Sequence, residues 1–475
     1  MAATMSPLPA TSDTGTVVAD LVSRARTAMQ AFADADQARV DEAVTAIAWS
    51  LYNPAHAEEL AKLAVENTGL GNVPDKIIKK QRKTFGTLRD LLRVKTVGVI
   101  ERDEARGLVK YAKPVGVVAA ITPSTNPGAT PVNKAMMAVK GRNAIIIASS
   151  PAGMQTTGRT VSYMRAELKK VGAPEDMVQI LPPPASKAMT DELMKRADLV
   201  VATGSQDNVR RAYSSGTPAI GVGTGNVPVI IDETADLDDA AAKICASKIF
   251  DNATSCSSEN AVVLVDAVYE QAIAALERAG GYRASAVEKD RIQRALWPDG
   301  KLSRTLIARD ADVLAQGCGL PSEAMGKTFF MVEETGVGRG FPFSSEKLAL
   351  VLTIYRARDF DDAIARVNDI LRHQGRGHSC GLHTKDKGRG HRLAERADVV
   401  RVLINQAHTF GNGGSFENGL NFTLSMGCGT WGGNSIDENL NYRHFINVTQ
   451  LVTTISEDKP SEEELFGAHW AKYGR

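Results

Sequence analysis

Neither sign of charge dominates this chain: 56 Lys and Arg stand against 55 Asp and Glu in 475 residues, a formal net charge of +1. That balance argues against a nucleic-acid footprint or a polybasic membrane surface, and leaves any small anionic substrate to be caught by local groups. No run of about 18 apolar residues is present, so no membrane span is expected. The opening "MAATMSPLPATSDTGTV" lacks a basic stretch followed by an apolar core, and no signal peptide is expected. Its Ser, Thr, Pro and Ala content predicts a frayed tail over residues 1–15. Cysteine is scarce. The five (Cys245, Cys256, Cys318, Cys380 and Cys428) show neither paired nor metal-like spacing, which predicts reduced thiols in a cytoplasm and no metal site. What the chain does have, 43% apolar and 23% charged residues, fits a globular protein of two or three domains.

Residues 17–94 carry apolar positions at helical spacing, as in "VVADLVSRARTAMQAF" and "AHAEELAKLAVENTG". The stretch "NTGLGNVPDK" breaks that run and "KTFGTLRDLLRV" resumes it. From residue 97 the period shortens to that of strands, and then strands and helices alternate: "NAIIIASSP", "GMQTTGRTVSYMRAELKKVG", "DMVQILPPP", "DLVVATGS". This alternation predicts a doubly wound parallel sheet of the α/β class, with ligands beyond the carboxyl ends of its strands. A second αβ run covers about 235–425. The expected division is a cofactor-binding unit over 16–230 and a smaller αβα catalytic unit over 231–425. A segment over 426–475 would return to the first unit, and with strands in 97–113 it would form an oligomerisation arm.

"GVGTGN" (Gly221 to Asn226) has two of three fingerprint glycines but precedes a strand, "VPVIID". It therefore reads as a tight glycine turn and not as a dinucleotide loop. "VVATGSQDNV" does have the right context, because Thr203, Gly204 and Ser205 end a strand and open a helix, where a phosphate could sit. Cys256 stands in "NATSCSSEN", small and polar on both sides. The residues alone leave it open between a buried small side chain and an accessible nucleophile. Cys245, on the apolar stripe of "AAKICASKIF", reads as core. His378 and His383 read as structural, and Glu346 as a solvated strand end. "GCGTWGGNS" has more glycine than a turn demands, which suggests close backbone approach to something.

In this order, "ITPSTNP", "ATGSQDNVRRAYSSGTPAIGVGTGNVPVIIDETADL", "KIFDNATSCSSENAVV", "EKLALVL", "GHSCGLHT" and "MGCGTWGGNSIDENL" resemble successive blocks of the CoA-acylating branch of the aldehyde dehydrogenase superfamily. The likeness runs from about residue 17 to 450. Longer stretches, "NTGLGNVPDKIIKKQRKTFGTLRDLLRVKTVGVIE" and "STNPGATPVNKAMMAVKG" among them, look most like the members of that branch that act on sulfoacetaldehyde. Acetaldehyde, propionaldehyde and succinate semialdehyde are the alternative substrates. Rival readings of another kind are a hydrolytic dehydrogenase and a non-catalytic nucleotide-binding structural protein.

The resemblance implies that Cys256 attacks the aldehyde, with the oxyanion held by the Asn126 side chain and the Cys256 N–H. It places Thr203, Gly204 and Ser205 along the nicotinamide and pyrophosphate, Ser149, Ser150 and Pro151 near the adenosine, and Glu346 on the nicotinamide ribose. His378 would assist proton transfer to or from CoA, the co-substrate. For the sulfonate tail, Thr125, Arg376, His408, Asn412 and Ser415 are the candidates. Where hydrolytic relatives carry a glutamate base this sequence has Val222, which cannot deprotonate water, so the thioester should wait for a thiol. No acidic residue obviously guards against a 2′-phosphate, and NADP is expected, with NAD possible. Strand edges in the arm would need a partner, so a homodimer or homotetramer is expected.

Overall fold

The structure, a computed structural model, describes residues 13–475. The tail expected over 1–15 lies outside the described residues as far as 12, and from Thr14 the chain is helical. Four helices come first: α1 (Thr14–Ala31), α2 (Gln37–Tyr52), α3 (Pro54–Thr68) and α4 (Val73–Leu92). The break between the last two is shorter than the sequence suggests. Gly69 ends α3 in the left-handed region, and the Asn72 side chain opens α4 by accepting from the Asp75 N–H at 2.9 Å. "DKIIKKQR" is therefore helix. Its polarity is inverted: Lys76, Lys79, Lys80 and Lys83 are buried, whereas Ile78 and Phe85 are half exposed.

Strands β1 (Gly98–Asp103) and β2 (Leu108–Pro114) pair antiparallel. Next come β3 (Val117–Thr122), β4 (Ala144–Ser149), β5 (Val178–Ile180), β6 (Leu199–Thr203) and β7 (Ala219–Val222). They form a parallel sheet in the order β5-β4-β3-β6-β7. Every residue of β3 is buried, as expected for a strand covered on both faces. The winding direction reverses at β3, which opens a crevice at the carboxyl ends of β3 and β6. Lys134, on α5 (Ala129–Lys140), ties those two strands together, donating to the Ile121 carbonyl at 2.9 Å and the Val201 carbonyl at 2.8 Å.

The second sheet is also parallel. It comprises β8 (Val227–Ile231), β9 (Glu259–Val265), β10 (Gly281–Arg283), β11 (Phe329–Glu333), β12 (Val351–Ala357), β13 (Gly377–His383) and β14 (Val399–Ile404). Their order is β10-β11-β12-β9-β8-β13-β14. "VPVIID" was expected in the first unit, but β8 lies in the middle of the second sheet, between β9 and β13. Its five residues are all buried, which only an interior strand allows. The passage between the sheets is thus the loop Gly223–Asn226. β15 (Ile446–Val452) returns to pair with β2, giving a small sheet in the order β1-β2-β15. Val448, Leu451 and Val452 on it are exposed, and the final helix, Glu462–Tyr473, buries no residue. Among the described residues no helix is long and apolar enough to cross a membrane.

Candidate active site

Cys256 sits on a loop that the chain enters under strain. Asp251, Asn252 and Ala253 have φ of 50°, 52° and 59°, three consecutive left-handed residues that a non-glycine chain adopts only when its surroundings impose it. Asp251 supplies the anchor. Its N–H donates to the Asp75 carboxylate at 2.7 Å, and its own carboxylate accepts from Lys76 at 3.1 Å, Lys79 at 2.5 Å, the Thr254 hydroxyl at 2.7 Å and the Asn72 N–H at 3.1 Å. Gly71 passes so close that a Cβ there would fall 1.8 Å from the Asp251 carboxylate. Asn252 donates to Asp310 at 2.8 Å. After a turn closed by the Ser258 N–H on the Ser255 carbonyl at 3.0 Å, β9 begins. Cys256 is half-buried in that turn. Cys245, by contrast, packs against the second sheet's core and donates to the Ala279 carbonyl at 3.0 Å.

The "GVGTGN" glycines find their reason here. A Cβ on Gly225 would lie 2.0 Å from the Cys256 carbonyl oxygen and 3.0 Å from its Cβ. The loop joining the two sheets is therefore packed directly on the Cys256 peptide.

The Cys256 thiol is pushed up to about 12 by burial, with the negative charges of Glu346 and Cys428 adding to it and Arg401 and Ser257 opposing. Arg401 on β14 is buried, and its guanidinium donates only to neutral oxygens: Asn412 at 2.9 Å, Asn439 at 3.1 Å, and the His378 and Gly427 carbonyls at 2.8 Å each. A buried cation without a carboxylate partner favours an anion nearby, and a thiolate at Cys256 would serve. Burial, helped by Arg401 and His408, keeps the His378 imidazole neutral well below the usual histidine range. His378 Nδ1 meets Ser379 Oγ at 2.8 Å, and the same hydroxyl meets His408 Nε2 at 2.9 Å. His378 Nε2 and Glu346 Oε1 are both buried without a hydrogen-bond partner, which is costly unless a ligand or water completes them. Burial raises the Glu346 carboxyl to about 8.

Two cavities flank this region. The first, about 640 Å³, opens at the carboxyl ends of β3, β4 and β6 and is lined by Ser149, Ser150, Pro151, Gly204, Ser205 and Lys187, among others. Gly204 has φ +149° and nothing closer to its Cβ position than 3.8 Å, leaving room for a ligand against bare backbone. Thr203 is turned away from it, its hydroxyl 2.7 Å from Ser425 Oγ. The second cavity is narrow, with Asn126, Ser255, Thr409, Phe410, Leu424, Phe250, Lys79, Arg82 and Lys83 as its walls. Asn126 thus faces the residue preceding Cys256.

The candidates for the substrate tail separate in space. Arg376 lies at the surface in a two-pronged pair with Asp398, at 3.0 and 2.6 Å. His408 is buried in the Ser379 relay, and Asn412 is taken up by Arg401 and by Ser257 at 2.9 Å. Thr125 stays in the Asn126 turn, its carbonyl 3.4 Å from the Lys76 ammonium. Ser415 accepts from Arg82 at 3.4 Å, beside the narrow cavity. Arg82, Lys79, Lys83, Arg401 and Asp251 were not singled out from the sequence. Lysines at helical spacing read as a solvated face, and only the exposed apolar Ile78 and Phe85 on the same helix hint that the face points inward.

Comparison with known proteins places this architecture. Residues 9–285 match the aldehyde dehydrogenase family. The chain is 52% identical over 459 residues to a sulfoacetaldehyde dehydrogenase (acylating) of Cupriavidus necator, covering 96% of this chain and 93% of that one. An acetylating aldehyde dehydrogenase of Geobacillus thermoglucosidasius superposes with a TM-score of 0.90 at 33% identity, over 94% of this chain and 98% of that one. A propionaldehyde dehydrogenase of Rhodopseudomonas palustris, solved with bound CoA and an acylated cysteine, superposes with a TM-score of 0.81 at 25% identity, over 92% and 97%. Matching more than half its length to that family and sharing half its residues with a full-length relative, the chain belongs to the aldehyde dehydrogenases.

Proposed function

We propose that this chain is a CoA-acylating dehydrogenase that converts sulfoacetaldehyde, CoA and NADP or NAD to sulfoacetyl-CoA and the reduced nucleotide. The observation that carries the reading is the meeting of Asn126 with the Cys256 loop across one narrow cavity, beside a larger one at the sheet's switch point. The larger cavity fits a dinucleotide, with the hydroxyls of Ser149, Ser150 and Ser205 and the bare backbone of Gly204 on its wall; outside that wall, Glu346, whose charge acts on Cys256, keeps one oxygen without a partner. When bound, the nicotinamide supplies the hydride acceptor.

The chain's own groups do the rest. Cys256, as thiolate, adds to the aldehyde carbon, and the developing oxyanion is received by the Asn126 amide and the Cys256 N–H. One such donor is commonly worth about 3–4 kcal/mol at the transition state. Loss of hydride leaves a thioester on Cys256. Val222 stands where a water-activating carboxylate would be needed, so the acyl group waits. A thiol ionises far more readily than water and takes the acyl group; His378 Nε2, unpartnered and kept neutral, accepts a hydrogen bond from its S–H while the proton passes on to solvent. Arg401 steadies the Cys256 sulfur as it departs as thiolate.

The 2′-phosphate preference is supported by Lys187 and Arg304 at the larger cavity, although Asp207 also lines it. The exposed β15 edge supports a homodimer or homotetramer, and five free thiols support a cytoplasmic setting. Initial rates over a panel of short aldehydes, with either nucleotide and with or without CoA, test the reading. Sustained turnover should require CoA and be fastest with sulfoacetaldehyde and NADP. Equal rates without CoA would sink it.

A further inference from the structure

The inverted face of α4 puts more positive charge inside the protein than its neighbours neutralise. Lys76 and Lys79 share the single carboxylate of Asp251. Arg82 and Lys83, one turn on, have no carboxylate in contact among the described residues. Arg82 donates to the Phe410 carbonyl at 3.2 Å from each terminal nitrogen and to Ser415 Oγ at 3.4 Å, and Lys83 donates to the Gly413 carbonyl at 2.6 Å. Phe410, Phe416 and Phe422 surround the guanidinium at 5.3, 6.0 and 5.7 Å. Glu417, exposed on the adjoining loop, acts on Arg82 only through its charge. Charges held away from water without an opposite charge are costly, and such an arrangement persists where a ligand supplies the missing anion.

These cations open onto the narrow cavity whose other wall is Asn126 and Ser255. One end is therefore polar and next to the nucleophile, the middle is walled by Phe250, Phe410 and Leu424, and Lys79, Arg82 and Lys83 converge on it from one helix. The cavity holds about 30 Å³ as it stands, so an aldehyde with a single methylene between its carbonyl and an anionic tail would enter only as the Phe250, Phe410 and Leu424 side chains give way. Burial lowers the Lys83 ammonium to about 7, so its charge is partial at neutral pH, and Arg82 carries the standing charge. A guanidinium presents a planar fork of N–H donors to paired oxygens, which suits a sulfonate.

We infer that Arg82, flanked by Lys79 and Lys83, is the subsite that holds the sulfonate of the substrate and sets the preference for it over uncharged aldehydes. The inference rests on the sulfoacetaldehyde reading above and replaces Arg376, His408 and Asn412 as the tail's partners, keeping Ser415 as a positioning residue behind Arg82.

The test compares kcat/KM for sulfoacetaldehyde and for propionaldehyde in the wild type, Arg82→Met and Arg82→Lys. In Arg82→Met the ratio of the two should fall at least about 30-fold, mostly through KM for sulfoacetaldehyde, because removing one partner of a buried charge pair commonly costs that much. Arg82→Lys should recover part of it. Equal losses on both aldehydes would mark Arg82 as merely structural and overturn the inference. Should Arg82→Met not fold, the wild type decides. Ethanesulfonate should raise its unfolding temperature above a matched sodium chloride control and compete with propionaldehyde. No effect of ethanesulfonate would refute the subsite even if sulfoacetaldehyde is turned over. Binding of ethanesulfonate by a protein that leaves sulfoacetaldehyde untouched would support the subsite and remove the substrate reading instead.

Discussion

Gly225 and Cys256 are in backbone contact across the junction of the two sheets, so close that a methyl group on residue 225 would fall 2.0 Å from the Cys256 carbonyl oxygen. Gly225→Ala must push the Cys256 turn away from its position. Displacements of this size near reacting atoms commonly cost about 100-fold. We expect kcat to fall by about that factor with the nucleotide's KM little changed, as steady-state kinetics would show. Full activity in Gly225→Ala would mean that the turn is not held where the structure puts it.

Cys256 alkylation should follow pH with a defined sign. With its thiol raised to about 12, the thiolate fraction grows about tenfold per pH unit throughout the range from 7 to 10. Glu346 contributes to that rise, and its own carboxyl titrates at about 8. Glu346→Gln should therefore accelerate iodoacetamide alkylation above pH 8, where the native carboxylate is ionised, more than at pH 7. Identical profiles for the two proteins would separate Glu346 from the thiol.

Asp251 holds together the strained loop and two buried lysines. Breaking such an arrangement by removing its one anion commonly costs about 3–5 kcal/mol, so Asp251→Asn should lower the urea midpoint markedly. Burial works against the Asp251 carboxylate, but Lys79 and Lys76 win and hold it below its usual range. A depressed carboxylate lends stability above the unfolded value, near pH 4, and loses it as the pH falls through the folded value. The wild type should consequently unfold in acid more steeply than Asp251→Asn.

The buried lysines predict a slope of the same sign on the alkaline side. Burial lowers Lys80, Lys83, Lys134 and Lys248 to about 7, while in the unfolded chain they keep protons to about 10.4. Between those limits the unfolded chain binds more protons, so stability rises with pH. Thermal unfolding should shift upward from pH 7 towards 9, and Lys134→Met should flatten the rise. A falling midpoint over that interval would contradict the buried placements.

Much of this was legible beforehand. The βα alternation predicted the first parallel sheet and a second αβ unit, because each strand's apolar run and each helix's periodicity are local properties; that the second sheet is parallel too was not read from it. Small polar residues and glycine at strand ends drew attention to the Cys256 and Gly204 segments, but the roles of Cys256 and Asn126 came only from the resemblance to a family. Two things escaped. The strand "VPVIID" carries no mark of which sheet it joins, since that depends on pairing with β9 and β13, distant in sequence. The inward lysines of α4 were invisible because their counter-charge, Asp251, lies 172 residues beyond Lys79. Arg401 escaped for the same reason: its partners Asn412, Asn439 and Gly427 gather only once the carboxyl-terminal segment folds back.

The most direct measurement of the central claim is the mass of the protein after a single exposure to sulfoacetaldehyde and NADP without CoA, followed by peptide mapping. The account predicts one equivalent of NADPH per subunit, a halt, and a sulfoacetyl group on the peptide bearing Cys256 that CoA then removes. Continued NADPH formation with free acid released, or an acyl group on any other residue, would contradict it.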